Sequence, residues 1–299
     1  MIVSASRRTD VPAFYWPWFL SRLDAGYAMT RNPMNAHQLR RVELTDQAVD
    51  GFVFWTKNPT PMLDKLDPLD GRAYYFQYTI TPYGSDVEPD LPPKQNMLDA
   101  MRLLVDRVGT ERVVWRYDPI LLSPTHSISW HVDRFAAMTN MLRGYTDNCT
   151  ISFLDLYRKI MKRLDAISAR TPDADERIAL ARAFVNIGAA QGIAISTCVE
   201  GDEYADVGVR RGRCVDADRL SRIAGHALDI PRDRNQRPGC TCAQSVDIGA
   251  YNSCPHGCAY CYANASPAAV AKHAARHDPA SPFLIGDEST NKKGGLSIS

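Results

Sequence analysis

Short apolar segments recur along the chain, and a polar group follows each of them. The segments are four to six residues long and rich in β-branched and aromatic residues, as is typical of strands buried on both faces of a sheet. They predict strands at residues 1–6, 51–55, 73–76, 112–115, 149–153 and 192–196.

Amphipathic segments lie between the predicted strands. In residues 94–108, Met97, Met101 and Leu104 are spaced as one face of a helix, and Gly109 follows as a helix-ending residue. Similar patterns predict helices at residues 14–25, 131–143 and 173–191. The alternation of strands and helices predicts an α/β fold with a parallel sheet.

We expect this pattern to form one domain. Residues 1–285 are predicted to be a single α/β barrel domain that includes a cysteine-rich region at residues 198–265. Residues 81–93, rich in Pro, Asp and Gly, predict a long loop over the mouth of the barrel. The polar, glycine-containing residues 286–299 predict a flexible tail.

Charged residues follow the predicted strands directly. In a barrel of this kind, chemistry sits at the carboxyl ends of the strands, so these side chains are expected to ring one mouth. The basic ones would orient an anionic group, and the acidic ones would bind hydroxyls or move protons. The predicted set is Arg7, Arg8, Asp10, Lys57, Arg116, Asp118, Asp155 and Glu200.

Two simpler interpretations of these charges remain open. The charges can mark only the points where strands leave the core, because connecting segments are commonly polar. Arg116 and Asp118 can also form a purely structural ion pair.

Composition and charge restrict the class of protein. Hydrophobic residues make up 45% and charged residues 23% of the 299 residues, which is ordinary for a globular protein. No uninterrupted apolar window of about 18 residues occurs, and the first residues lack the layout of a secretion signal. We therefore expect a cytoplasmic protein with no membrane partner. The net charge of +1 argues against nucleic-acid binding through bulk charge.

Three cysteines near the end of the sequence carry the strongest chemical signal. Cys254, Cys258 and Cys261 have the spacing C-x3-C-x2-C, and Gly257 allows the backbone to turn tightly. Three such thiolates can bind three irons of a 4Fe–4S cluster and leave the fourth iron open, as in a catalytic metal site. The alternative is a structural zinc site. We expect His256, within this loop, to face solvent; the alternative is a role as a ligand or a proton donor.

The other cysteines of the region predict a second metal site. Four thiolates would hold either an auxiliary 4Fe–4S cluster or a structural zinc ion, although one or two of them can instead be ordinary buried thiols. They are Cys198, Cys214, Cys240 and Cys242. Cys149 opens a predicted strand, and we expect it to lie in the core.

The cysteine spacing, with the aromatic Tyr260 directly before the last cysteine, resembles the signature of radical S-adenosylmethionine (SAM) enzymes. The surrounding residues 247–264 are most similar to the spore-photoproduct-lyase-like branch of that superfamily. The whole chain resembles an uncharacterised bacterial family, domain of unknown function 1848. That wider resemblance lies in residues 6–10 (Ser-Arg-Arg-Thr-Asp), 54–59 (Phe-Trp-Thr-Lys-Asn-Pro), 115–119 (Trp-Arg-Tyr-Asp-Pro) and the cysteine tail.

The resemblance implies a cofactor and a reaction. In radical SAM enzymes the open iron binds SAM, and an electron from the cluster cleaves it to a 5′-deoxyadenosyl radical. The resemblance therefore implies hydrogen abstraction from a substrate at the barrel mouth, and a reductant such as flavodoxin or ferredoxin. The basic residues favour an anionic substrate such as a small molecule, a nucleotide or a nucleic acid. The alternatives are an iron–sulfur redox or sensor protein without SAM chemistry and a zinc-stabilised α/β binding module.

The position of the cysteine loop differs from that of the superfamily. Radical SAM enzymes carry the loop after the first barrel strand, near the N-terminus, whereas here it is near the C-terminus. The resemblance therefore implies a circularly permuted, partial TIM-like (β/α) barrel. In it, residues 245–250 take the place of the first strand, the cysteine loop follows, and residues 267–276 form the next helix.

Overall fold

One parallel sheet organises the computed structural model of the chain, which describes residues 1–197, 200, 202–237 and 239–287. The strands are β1 Ile2–Ala5, β2 Tyr27–Asn32, β3 Asn35–Glu43, β4 Gly51–Thr56, β5 Tyr74–Thr79, β6 Val113–Ile120, β7 Asn148–Phe153, β8 Ala194–Thr197, β9 Arg210–Arg211 and β10 Ser245–Asp247. The helices are α1 Val11–Phe14, α2 Trp16–Asp24, α3 Lys94–Val108, α4 Ile128–Met141, α5 Met161–Ala166, α6 Ala174–Ala190, α7 Ala217–Ala224 and α8 Pro267–Ala274. Short 3₁₀ helices lie at Thr60–Lys65, Asp67–Leu69, Thr110–Arg112, Arg158–Ile160 and Asp202–Val207.

The sheet contains eight strands in the spatial order β10-β1-β4-β5-β6-β7-β8-β9, and every neighbouring pair is parallel. The predicted α/β fold with a parallel sheet is therefore confirmed. Each of the predicted strands is present within a few residues of its expected position. Within the described residues the two end strands, β10 and β9, do not pair with each other, so the strands form no closed barrel.

Local sequence signals set the ends of the helices. The helix α3 has the predicted bounds and ends at Gly109, whose φ of +88° favours glycine. The helix α6 begins at a capping box, in which the side chains of Asp173 and Glu176 each accept the other's backbone N–H. The predicted helix at residues 14–25 is present as α2, with a proline in its first turn as predicted, and the separate short helix α1, capped by Asp10, precedes it.

A hairpin and the length of one strand differ from the sequence predictions. The strands β2 and β3 form an antiparallel hairpin outside the main sheet, and their many polar residues hide the alternation that would predict it. The strand β6 continues to Ile120, so that Arg116 and Asp118 lie inside the strand rather than after its end. The strand accommodates both charges because they pair with each other.

The structure also bears on the predictions for Cys149, for membrane-spanning helices and for the C-terminal tail. Cys149 is fully buried in the core, as predicted. No helix in the described part of the chain has the length and apolar character needed to cross a membrane. The predicted tail at residues 286–299 lies, apart from its first two residues, outside the described residues.

Helices cover one face of the sheet. Alternate side chains of a strand point to opposite faces, and Phe54, Phe76 and Trp115 all point to this one. The ring of Trp115 stacks on Phe135 of α4 with 5.1 Å between the ring centroids, and Phe135 stacks on Phe184 of α6 at 3.9 Å. These aromatic contacts join β6, α4 and α6 in the main core.

The cysteine-rich region covers the other face of the sheet. Tyr75 and Val114 point to this face and pack in one buried cluster with Leu220 of α7, Cys240 and Cys242. The hydroxyl of Tyr75 also donates to the carbonyl of Cys214 at 2.7 Å. The chain that follows β9 therefore returns across the sheet and places its cysteines against the strands.

The strand β10, the last within the described residues, pairs in parallel with the first strand, β1. The hydroxyls of Ser4 and Ser6 donate to the Asp247 carboxylate at 2.9 and 2.6 Å. The backbone N–H groups of Arg7 and Gly249 donate to the same carboxylate, each at 2.9 Å. As a result, the cysteine loop that follows β10 lies beside the polar segment that follows β1.

Replacing Gly249 with Ala tests this junction. An added Cβ would lie 2.5 Å from Ser6 Cβ, so we expect the free energy of unfolding in urea to fall by about 1–3 kcal/mol. Gly84→Ala is the control, because its Cβ would meet only the exposed Asp86 carboxylate at 3.1 Å, and it should change that energy by less than about 0.5 kcal/mol. Equal losses in the two variants would contradict the close contact.

Candidate functional site

A cavity of about 460 Å³ opens at the carboxyl ends of the parallel strands. Its walls combine the segments at the ends of β1, β4, β5, β6 and β7 with the cysteine-rich region. Most of the predicted site residues therefore face one space, as the meeting of parallel strand ends requires. Those that line it are Arg7, Asp10, Lys57, Arg116, Asp118, Asp155, Cys214, Cys240, Cys242, Cys254, Cys258 and Cys261.

Three other predicted site residues are not found in the lining of this cavity within the described part of the chain. The Arg8 guanidinium lies over the ring of Tyr251, 5.3 Å from its centroid. The Glu200 carboxylate accepts the backbone N–H of Phe153 at 3.2 Å. Cys198 lies outside the described residues, so its predicted role as a metal ligand is untested.

The cysteine loop after β10 presents three thiols to the cavity. Gly257 has a φ of +69°, and a Cβ there would lie 2.6 Å from an Asp90 carboxylate oxygen, so glycine is the residue that fits. The N–H of Cys261 donates to the carbonyl of Cys258 at 3.1 Å, which closes a tight turn. The turn holds Cys254, Cys258 and Cys261 on one side of the loop, facing the strand ends.

The environment of these thiols indicates what they can bind. Burial raises the pKa of Cys254 well above its usual value, and Asp10 and the neighbouring thiols add to the rise. Burial likewise raises the pKa of Cys258 to about 12, although Lys57 opposes the rise. Adjacent thiols in such surroundings ionise readily only when a cation balances their charge, so this donor set suits a bound metal ion or metal cluster.

The described residues do not form a ready site for a single ion. In the ranges that the structure describes, no three His, Cys, Asp or Glu side chains are grouped as ligands for one metal ion. The fit of the cysteine loop to a cluster therefore depends on the type and number of its donors and on the cavity that they share.

Glu88 connects the cysteine loop to the strand ends. Its fully buried carboxylate accepts from Lys57 Nζ and from the Thr81 hydroxyl, each at 2.8 Å, and also from Lys94 and the Tyr260 hydroxyl. Burial alone would raise the pKa of Glu88. The two ammonium groups lower that pKa by a larger amount, to about 2. Glu88 was not among the predicted site residues, because its only signal in the sequence is an acidic residue in the loop predicted to cover the mouth.

Arg116 and Asp118 form an ion pair at the cavity wall. Arg116 also donates to the Gln77 side chain at 3.3 Å and to Cys214 Sγ at 3.2 Å, and the Ser152 hydroxyl donates to Asp118. The ion pair that was one interpretation of these two charges is therefore present in the structure. The contact between Arg116 and Cys214 links β6 to the cysteine-rich region.

His256 is buried, so the prediction that it faces solvent is wrong. Its side chain is only 3% exposed, and Nε2 lies 2.8 Å from Asp10 Oδ2. The same carboxylate accepts the backbone N–H of Ala13 at 2.9 Å and of Lys57 at 2.7 Å. The imidazole is stable in the interior because the Asp10 carboxylate replaces the hydrogen bond that water would form with it.

The second cysteine group lies on the same cavity. Cys240 and Cys242 are buried, and the backbone N–H of Cys214 donates to Cys242 Sγ at 3.2 Å. Burial lowers the pKa of Arg7, but Cys214, Cys242, Asp247 and Tyr262 near it together raise that pKa above its usual value. The predicted second metal site therefore has three of its four cysteines around one space, and metal binding there stays a prediction.

Asp155 occupies the outer rim of the cavity. It is bound to Arg237 at 2.5 Å, and more than half of each side chain is exposed. An exposed pair of this kind contributes little to stability. The position of Asp155 at the opening places its carboxylate beside any ligand that enters the cavity.

These observations define the class of the molecule as an α/β protein with an open parallel sheet and a cavity ringed by cysteines and paired charges at the strand ends. The chain belongs to the family described as Domain of unknown function (DUF1848), whose model matches residues 2–263. Searches of curated proteins and of solved structures gave no significant match.

Replacing Glu88 with Gln tests the connection between the loop and the strands. We expect the free energy of unfolding in urea at pH 7 to fall by about 3–5 kcal/mol, because buried ammonium groups lose their counter-charge. The pKa of Glu88 is about 2 in the folded protein against 4.5 in an unfolded chain. Its stabilisation is therefore complete above pH 4.5 and is lost as the pH falls towards 2. The difference between wild type and variant should narrow over that range.

Glu43→Gln is the control for this experiment. Glu43 pairs with Arg41 on the exposed hairpin, so its loss should change the free energy of unfolding by less than about 1 kcal/mol. A Glu88→Gln effect that does not change between pH 4.5 and 2 would show that the carboxylate charge is not the stabilising element.

Proposed function

We propose that this chain is an iron–sulfur enzyme of the radical SAM type. The observation that carries the proposal is the shared cavity. The three sulfurs of the C-x3-C-x2-C loop line the same space as the charged side chains at the carboxyl ends of the parallel strands. A cluster bound there would have its open iron beside the site where a substrate is held, which an electron carrier does not require.

The residues around the loop suit such a cofactor. A 4Fe–4S cluster on Cys254, Cys258 and Cys261 would supply the electron that releases a 5′-deoxyadenosyl radical from SAM for hydrogen abstraction. Tyr260 is half-buried beside the loop, donates its hydroxyl to Glu88 and lies under the Lys57 ammonium group. Lys57 places an ammonium charge near Cys258 and so favours the thiolate form.

The strand order supports a permuted version of the radical SAM fold. The strand β10 stands at the edge of the sheet beside β1, the cysteine loop follows it, and α8 comes next. If β10 is counted as the first strand of the sheet, the cysteine loop and the helix α8 follow that first strand, and the remaining strands lie beyond it in the sheet. We therefore propose a circularly permuted, partial TIM-like barrel.

A second metal site is part of this proposal. Cys214, Cys240 and Cys242 face the same cavity, which favours either an auxiliary cluster or a structural zinc ion. The substrate class follows from the basic side chains around the cavity, which favour an anionic small molecule or nucleotide. A reductant such as flavodoxin or ferredoxin would supply the electron.

Anaerobic reconstitution with iron and sulfide tests the cluster. We expect brown protein with about four irons per chain, or about eight with an auxiliary cluster, and release of 5′-deoxyadenosine from SAM after reduction. Replacing Cys254, Cys258 or Cys261 by Ala should remove about four irons and abolish this release, because each thiolate binds a separate iron.

Cys149→Ala is the matched control, because Cys149 is buried in the core away from the cavity lining, and it should keep iron and SAM cleavage. Unchanged iron and SAM cleavage in all three loop variants would remove the assignment. Colourless wild-type protein with stoichiometric zinc would support the zinc-stabilised binding module instead, and a cluster without SAM cleavage would support a redox or sensor protein.

A further inference from the structure

The four basic residues predicted at the mouth differ in their partners. Lys57 and Arg116 are each bound by a carboxylate. Arg8 is not among the described residues that line the cavity. Arg7 lines the cavity, and part of its guanidinium has no protein partner.

The Arg7 guanidinium has one nitrogen bound by the protein and two nitrogens on its other edge without a partner in the described part of the protein. Its Nη1 donates to the side-chain oxygen of Gln236 at 3.2 Å, and Gln236 in turn donates to Asp233 at 2.8 Å. The guanidinium carbon lies 5.4 Å from the ring centroid of Trp55. Nε and Nη2 are buried and have no hydrogen-bond partner among the described residues. The group is therefore held in place with two donors unused.

The edge that carries Nε and Nη2 has the geometry of an oxyanion receptor. The Nε–H and Nη2–H bonds of a guanidinium run parallel on one edge, and together they bind two oxygens of a carboxylate or a phosphate. A buried charged donor without an acceptor is destabilising, and a ligand oxyanion removes that cost. Because Gln236 and Trp55 already hold the side chain, little rotamer freedom is lost on binding.

We propose that Arg7 binds a carboxylate or phosphate group of the substrate through its Nε and Nη2 edge. The inference deepens the proposed function and rests on it for the identity of the ligand as a substrate. SAM also carries a carboxylate, but in radical SAM enzymes the open iron binds that group, which leaves Arg7 to the substrate.

Two further polar groups in the cavity wall lack partners. The Thr9 hydroxyl oxygen and the Nδ1 atom of His256 are buried and make no hydrogen bond within the described structure. Buried polar side-chain atoms in folded proteins are nearly always satisfied. Three unsatisfied groups around one space therefore favour a polar ligand there rather than an apolar one.

Equilibrium dialysis with radiolabelled acetate and inorganic phosphate tests the proposal on reconstituted protein. We expect saturable binding of one of these anions, at one site per chain. Arg7→Gln should weaken it by about tenfold or more, because both donors are lost. Arg7→Lys should weaken it too, because an ammonium group keeps the charge but cannot offer the paired donors.

Arg40→Gln is the matched control. It removes the same charge from the exposed strand β3, outside the described cavity lining, and should leave anion binding unchanged. Phenylglyoxal labelling of wild-type protein, read by peptide mass spectrometry, keeps the test independent of variant folding. The bound anion should slow modification of Arg7 by about tenfold and leave Arg40 unaffected.

The anion that binds identifies the substrate class as a carboxylate or a phosphate. Absence of saturable binding by both anions, or equal binding by Arg7→Gln and Arg40→Gln, overturns the proposal. Displacement of the anion by SAM in cluster-loaded protein also overturns it, because the oxyanion would then belong to the cosubstrate. Cys254→Ala should keep anion binding, so failure of the cluster assignment is distinguishable from failure at Arg7.

Discussion

The parallel pairing of β10 with β1 is the constraint on which the site depends. It joins the first strand to the cysteine loop through the Asp247 carboxylate, which accepts hydrogen bonds from the end of β1 and from the start of the turn after β10. Only because β10 is parallel to β1 does the cysteine loop emerge at the same sheet edge as the segments after β1 and β4. An antiparallel last strand would place its loop at the opposite edge.

Paired charges then hold the cavity wall in shape. The Glu88 carboxylate joins Lys57 after β4 to Tyr260 of the cysteine loop, while Asp10 joins the segment after β1 to His256. Each carboxylate is buried and accepts hydrogen bonds both from its own segment and from parts of the chain that are distant in sequence. Buried charges tolerate this environment only when they are paired, so these contacts select one arrangement of the loop against the strands.

The pattern of apolar segments was enough to predict the strands β1 and β4 to β8, the long helices α3 and α6, and the convergence of polar side chains at the strand ends. The antiparallel hairpin was missed because its strands are dominated by polar residues and lack an alternating apolar face. Arg116 and Asp118 were expected after a strand that in fact contains them, since a pattern of residue types does not show which charges pair. For the same reason Glu88 was missed and His256 was placed in solvent.

The sequence by itself determined the local elements and the chemistry available: strand and helix periods are short-range properties, and the spacing C-x3-C-x2-C defines a set of three thiol donors. Only the tertiary structure decided which charged side chains are bound by other residues of the protein and which keep donors for a ligand. Lys57 and Arg116 are bound by carboxylates, whereas the Nε and Nη2 donors of Arg7 lack a protein acceptor among the described residues. That distinction depends on contacts between residues far apart in the sequence, which the parallel sheet brings together at one edge.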